Sequence, residues 1–246
     1  MRLFGLIGFP LSHSFSQKYF SEKFLKEGIV DAQYNNYPIE SIDMFPKLWE
    51  DNPELVGLNV TIPYKEKVIP FLHSLDESAK RIGAVNVIKK MPDGTLKGYN
   101  SDYSGFKNSL LKFLDNHQVA KAYILGTGGA AKAVQCALED IGVKYTYVSR
   151  TAGNGKIAYE DITKTSLLDH KLIIHSSPLG MYPNVDACPN IPYEYMDGSF
   201  YLYDLIYNPE VTLFMKNGMD KGAKAMNGLP MLIGQAEKAW EIWNAK

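Results

Sequence analysis

Cysteine is scarce, with only Cys136 and Cys188 among 246 residues. The two stand far apart and form no CxxC or Cys/His cluster. That excludes a disulfide framework and a thiolate metal site, and it fits free thiols in a reducing cytoplasm. Long apolar runs are also missing. No stretch approaches the roughly 18 to 20 residues that a membrane span needs. The apolar start at Leu3 is broken by Gly8 and Pro10, and no small-residue cleavage site follows. An excess of one charge is missing too: 26 basic and 27 acidic residues give a net charge of -1, a field too weak to hold nucleic acid or an anionic membrane. Repeats and low-complexity segments are absent. These absences leave the expectation of a cytoplasmic protein that recognises a small molecule through local groups and needs no metal; a monomer or homodimer is expected, with nothing in the sequence to choose between them.

Strand and helix signals alternate along the chain, the pattern of an α/β protein with mostly parallel sheets and helices on their faces. Leu3 to Gly8 reads as a strand, followed by a helix with Phe15, Tyr19, Phe20, Phe24 and Leu25 on one stripe and a stop at Gly28. Further strands are expected near Gln33 to Tyr37, Leu55 to Thr61 and Val85 to Lys89, the last turning at Asp93-Gly94. A helix from Asp102 to about His117 should connect two domains. Strands at Ala122 to Leu125, Tyr145 to Ser149, Leu172 to His175 and Tyr201 to Leu205 follow, and a last helix runs from Pro230 to Asn244. The expected division is a catalytic domain of residues 1–102 completed by 225–246, and a Rossmann-type domain of 103–224, with both ligands in the cleft.

Ile124-Leu125-Gly126-Thr127-Gly128-Gly129-Ala130-Ala131 follows a strand and opens a helix. Gly126 permits the tight turn, Gly128 allows backbone approach to a diphosphate, and Ala131 allows close helix packing. The plainer reading is an ordinary strand-to-helix turn. About 20 residues later the next strand ends in Ser149-Arg150-Thr151, where an NAD site would place a carboxylate. An arginine with two hydroxyls suits a 2′-phosphate, which favours NADP(H); Arg150 as a plain surface cation is the alternative.

Polar residues gather at strand ends and loop starts before that domain: Ser14, Ser16, Asn59, Thr61, Lys65, Asn86 and Asn100-Ser101-Asp102. Ser14 and Ser16 either donate to a carboxylate or cap the following helix. Lys65, placed near a helix start after Pro63, and Asp102, opening another helix, fit a proton-transfer pair; the alternatives are a surface charge and an N-cap. Gln235 interrupts the apolar stripe of the last helix and needs a partner, either a substrate hydroxyl or a core hydrogen bond.

The chain closely resembles the shikimate dehydrogenase (shikimate/quinate dehydrogenase) family over nearly its whole length. The resemblance is carried by Gly8-Phe9-Pro10-Leu11-Ser12-His13-Ser14-Phe15-Ser16, Gly57-Leu58-Asn59-Val60-Thr61-Ile62-Pro63-Tyr64-Lys65, Gly83-Ala84-Val85-Asn86 and Asn100-Ser101-Asp102. It continues through the Gly126 loop, Ser149-Arg150-Thr151, Ser177-Pro178-Leu179-Gly180-Met181, Tyr203 to Pro209 and Gly228 to Ala236. It implies NADP-dependent reversible reduction of 3-dehydroshikimate to shikimate in chorismate biosynthesis, with Lys65 and Asp102 as the catalytic pair. It further implies Ser14 and Ser16, with Tyr207 nearby, on the carboxylate, and Asn59, Thr61, Asn86, Asp102 and Gln235 on ring hydroxyls. The cofactor then falls to Gly126, Gly128, Gly129, Ala130, Ser149, Arg150, Thr151 and the backbone around Met181 and Gly228.

The sequence departs from the family pattern in several places. Gln17 stands for the usual proline, Ser101 for threonine, Tyr103 for glycine, and His175-Ser176-Ser177 for Asn-Ala-Thr. The family's helix after Arg150-Thr151 is missing, since Gly153-Asn154-Gly155 leads straight to Ile157 and the strand at Leu172. The competing expectations are a dual quinate/shikimate dehydrogenase and a non-catalytic homologue that binds NADP or a metabolite. Retention of both Ser14 and Ser16 favours shikimate, and retention of Lys65 and Asp102 favours an enzyme.

Overall fold

The alternating pattern becomes two separate sheets. The computed structural model describes residues 1–11 and 15–245. Its chain divides into one unit of Met1–Ser101 with Ala236–Lys246 and another of Asp102–Gln235.

The first unit contains β1 (Arg2–Gly8), α1 (Phe15–Glu27), β2 (Ala32–Pro38), α2 (Phe45–Asp51), β3 (Leu55–Val60), β4 (Ser74–Leu75), α3 (Glu77–Ile82), β5 (Val87–Lys90) and β6 (Leu96–Tyr99). Its sheet has the order β2-β1-β3-β5-β6-β4. β1 runs parallel to β2 and β3, β5 is antiparallel to β3 and β6, and β4 is parallel to β6. Helix α1 stops where Gly28 takes φ +66, a conformation that costs glycine little. Its buried stripe, Phe20 and Phe24, meets Phe4, Tyr34, Ala239 and Trp243. Gly57 makes room for that indole: a Cβ there would lie 2.3 Å from Trp243 Nε1, which donates to the Ile88 carbonyl at 3.0 Å.

Helix α4 (Ser101–Leu114) leads into the second unit. There β7 (Lys121–Leu125), α5 (Gly129–Asp140), β8 (Lys144–Ser149), β9 (Lys156–Ala158), α6 (Lys164–Asp169), β10 (Leu172–His175), β11 (Tyr201–Asp204), α7 (Leu213–Met219) and β12 (Lys224–Met226) follow, before α8 (Leu229–Asn244). The order β12-β11-β10-β7-β8-β9 is parallel throughout, and chain order reverses direction between β7 and β10. This is the doubly wound Rossmann arrangement, whose ligand crevice opens beyond the carboxyl ends of the strands at that switch point.

The structure departs from the expected elements in three places. Helix α4 ends three residues before His117, because Asp115 and Asn116 take φ 43 and 65. The expected absence of a helix directly after Arg150-Thr151 is seen, but β9 and α6 lie before β10 where an uninterrupted loop was expected. Tyr147 pairs with Lys156, so the chain backs up only about 7 Å, two residues of strand, and a short turn suffices. Finally, residues 225–246 do not go as a block to the first unit. Met226 belongs to the second sheet, and Met231 packs with Phe106 and Leu110, while Ala236, Ala239 and Trp243 pack with Phe4 and Phe20. Among the described residues no helix is long and apolar enough to cross a membrane.

Candidate active site

In the first unit a chain of hydrogen bonds joins several of the expected substrate residues. The Tyr34 hydroxyl, on β2, reaches across β1 and donates to Asn59 Oδ1 on β3 at 2.8 Å, and Ser16 bonds the same phenol. Burial pushes this phenol far above its usual pKa, so it stays a neutral donor. Asn59 Nδ2 donates to the Asn86 carbonyl at 3.2 Å. Asn86 Oδ1 accepts the Ser101 N–H at 2.7 Å, and Asn86 Nδ2 donates to Ser101 Oγ at 3.0 Å. Ser16 and Asn59 are thus tied together through Tyr34, which reads from sequence as a strand residue only, and Asn59 is tied in turn to Asn86. Two side-chain amides held at both ends can present their remaining polar positions in only one orientation.

Asp102 follows directly. Because α4 begins at Ser101, Asp102 lies inside the first turn and is not its N-cap, yet it is only 5% exposed. A carboxylate there is favoured by the helix dipole. Lys65 does not sit near a helix start, contrary to expectation. It occupies a turn beyond β3 whose backbone is anchored by the Val85 N–H, which donates to the Lys65 carbonyl at 2.7 Å. Thr61 is half-buried at the end of β3, its N–H bonded to the Ile7 carbonyl. Ser14 lies outside the described residues.

In the second unit Tyr207 is 42% exposed, on the loop after β11. Gln235 sits where α4 and α8 come into backbone contact: a Cβ on Gly105 would lie 2.7 Å from the Met231 carbonyl oxygen and 2.8 Å from the Gln235 nitrogen.

A cavity of about 490 Å³ opens at the switch point, walled by the Gly126 turn, the Ser149-Arg150 end of β8 and the loop after β10. Gly126 takes φ +111, which only glycine adopts readily. A Cβ on Gly128 or Gly129 would meet no atom within 4 Å. Protein packing therefore does not demand glycine at those two positions, whereas a closely approaching diphosphate does. Gly128 precedes α5 without a side-chain cap, leaving first-turn N–H groups for an anion. These residues fit a dinucleotide.

Ser149 and Arg150 stand on the cavity wall, while Gly129, Ala130, Thr151, Met181 and Gly228 lie off it. Gly228 has a packing reason of its own, since a Cβ would lie 2.1 Å from the Leu205 carbonyl oxygen. Tyr159, Ser177 and Asn184 also line the cavity and were not singled out from sequence as cofactor residues. Burial raises the Tyr159 phenol, and the charge of Arg150 offsets part of that rise, which places the arginine's field over the cavity. Among the described residues no group of three or more His, Cys, Asp or Glu could hold a metal ion.

Comparison with known proteins gives the chain a family. Residues 6–88 match the shikimate dehydrogenase substrate binding domain. The NADP(+) shikimate dehydrogenase of Clostridium beijerinckii is 40% identical, over 99% of this chain and 92% of its own length. A crystal structure of a shikimate dehydrogenase in complex with NADP+ superposes with a TM-score of 0.87 at 31% identity, over 99% of this chain and 90% of that one. The Thermus thermophilus enzyme, solved with NADP(H) and shikimate, gives a TM-score of 0.83 at 28% identity, over 99% and 94% of the two chains. The chain belongs to the shikimate dehydrogenase family.

Proposed function

We propose that the protein catalyses the reversible NADP-dependent reduction of 3-dehydroshikimate to shikimate, an oxidoreductase step on a CH–OH group in chorismate biosynthesis. The observation that carries this reading is a nearly buried carboxylate, Asp102, set beside a polar chain that runs from Ser16 to Ser101.

In this reading the substrate goes to the polar residues around the chain from Ser16 to Ser101, and the cofactor to the cavity at the switch point. Ser14 and Ser16, with Tyr207, hold the carboxylate. Asn59, Thr61, Asn86 and Gln235 hold ring hydroxyls, and the bonds among Tyr34, Asn59 and Asn86 fix their directions in advance. Bound NADPH supplies the hydride. Lys65 and Asp102 align the ring oxygen and deliver a proton to it as the carbonyl becomes a hydroxyl, then remove that proton in the reverse direction. Such assistance is worth about 10²–10⁴-fold in rate. Gly126, Gly128, Gly129 and Ala130 present backbone to the diphosphate. Ser149, Arg150 and Thr151 take the 2′-phosphate, and the backbone around Met181 and Gly228 completes the cofactor site. The enzyme acts in the cytoplasm as a monomer or homodimer on a small molecule, without nucleic acid or membrane.

The direct test follows NADPH absorbance after addition of 3-dehydroshikimate, with NADH, and quinate with NADP(+), as controls. NADPH consumption together with a higher kcat/KM for shikimate than for quinate is the expected result. Absence of turnover would leave a binding protein, and equal turnover of quinate would make it a dual-specificity enzyme.

A further inference from the structure

The most deeply enclosed polar cluster of the second unit lies at the end of β10, against the dinucleotide cavity. His175 and Asp204 are both 0% exposed, and Thr212 is 1% exposed. His175 Nδ1 stands 3.1 Å from Asp204 Oδ1, and His175 Nε2 stands 2.7 Å from Ser177 Oγ. Asp204 is heavily engaged as an acceptor: Oδ1 also takes the Ile206 N–H at 2.9 Å, and Oδ2 takes the Thr212 hydroxyl at 2.6 Å. Facing a carboxylate that only accepts, a neutral His175 carries its proton on Nδ1. Its Nε2 is then an acceptor. The Ser177 hydroxyl proton must point at it, away from the cavity that Ser177 lines.

A second proton on the imidazole reverses this bond. Nε2–H then donates to the serine oxygen, and the hydroxyl proton is released to a partner in the cavity. Diphosphate oxygens only accept, so with a neutral ring they compete with Nε2 for the one hydroxyl proton, whereas the doubly protonated ring leaves that proton to them. Ser177 is well placed for it, since a Cβ on Gly126 would lie 3.1 Å from the Ser177 nitrogen. The glycine turn and the serine therefore share one wall.

We propose that Ser177 is a positioning hydroxyl for the cofactor diphosphate whose donor is switched on by a proton on His175, so that dinucleotide binding takes up a proton. This rests on reading the cavity as the dinucleotide site. The other groups around the imidazole leave Asp204 as the charge that faces it. The Phe214 ring lies 5.3 Å away, and Tyr193 packs on that ring at 6.3 Å. Burial raises the Tyr193 phenol, as do the neighbouring Cys188, Asp204 and Tyr159, so it stays neutral. Beyond it stand Tyr159 and then Arg150.

Titration calorimetry with ADP-ribose tests the proposal, because this ligand carries the diphosphate but lacks the 2′-phosphate, which itself titrates near about pH 6. Kd is measured from about pH 6 to about pH 8 in buffers of different ionisation enthalpy. For the wild type, Kd should rise with pH by up to about tenfold per unit, with net proton uptake. His175→Asn, whose amide donates without titrating, should flatten that slope and abolish the uptake. Ser177→Ala, which removes only the hydroxyl and leaves the buried ring in place, should also flatten it and bind as weakly as the wild type does at high pH. A flat wild-type profile, or an unchanged slope in either variant, overturns the proposal while leaving the cofactor site intact. Failure of the wild type to bind ADP-ribose at any pH would instead remove the dinucleotide reading of the cavity, and the proposal with it.

Discussion

Replacing Tyr34 by phenylalanine isolates the polar chain from the core around it. The ring stacks on Phe20 with centroids 4.6 Å apart and lies 6.3 Å from that of Trp243, and phenylalanine keeps both contacts. What is lost is the hydroxyl at 2.8 Å from Asn59 Oδ1 and its bond to Ser16. Leaving a buried acceptor unpaired costs about 1–3 kcal/mol. Asn59 is only partly buried and keeps its bond to the Asn86 carbonyl, so the lower part of that range applies, about 1–2 kcal/mol. Urea unfolding should show this as a lower midpoint at unchanged slope. Because the amide is then held at one end only, KM for shikimate should rise about tenfold, equivalent to about 1.4 kcal/mol, with kcat changed less. Wild-type values of both the midpoint and KM would refute the idea that Tyr34 sets the direction of Asn59.

Gly228→Ala forces a methyl against the Leu205 carbonyl oxygen, so overpacking should lower stability by about 1–3 kcal/mol, read by denaturant unfolding. Arg150→Ala should weaken NADPH binding about tenfold in a fluorescence titration and leave NADH nearly unchanged, because only the 2′-phosphate loses its cation. Burial raises the Glu237 carboxyl, but bonds from Lys23 at 2.8 Å and from Tyr19 together outweigh it and hold the group below its ordinary 4.5. Stability from such a depressed acid is complete above 4.5 and is lost as pH falls through the folded-state value. Glu237→Gln should therefore lower Tm at neutral pH, and the gap to the wild type should close in acid.

The long elements were legible because their periodicity matches their burial. Leu172 to His175 is a short apolar run, buried on both faces as β10, and Val134, Ala137 and Leu138 mark the packed face of α5. The two- and three-residue strands β4, β9 and β12 were not, since such pieces are strands only by virtue of the neighbour they pair with. Helix α8 is apolar at helical spacing on both sides of Gln235, so that one polar residue reads as a binding group and not as the point where the packing partner changes. Position at strand ends pointed to Asn59 and Asn86. Tyr34 carried no such mark, because a tyrosine within a strand reads as core until its hydroxyl partner is known. His175 was visible only as a departure from the family pattern, and its pairing with Asp204 comes from the parallel register of β10 and β11.

The division between holding and proton transfer is tested most directly by measuring kcat and shikimate Kd together for Lys65→Ala. If Lys65 moves the proton while the polar chain holds the ring, kcat should fall by about 10²–10⁴-fold and Kd should change by less than about tenfold. An unchanged kcat, or a loss confined to Kd, would contradict that assignment.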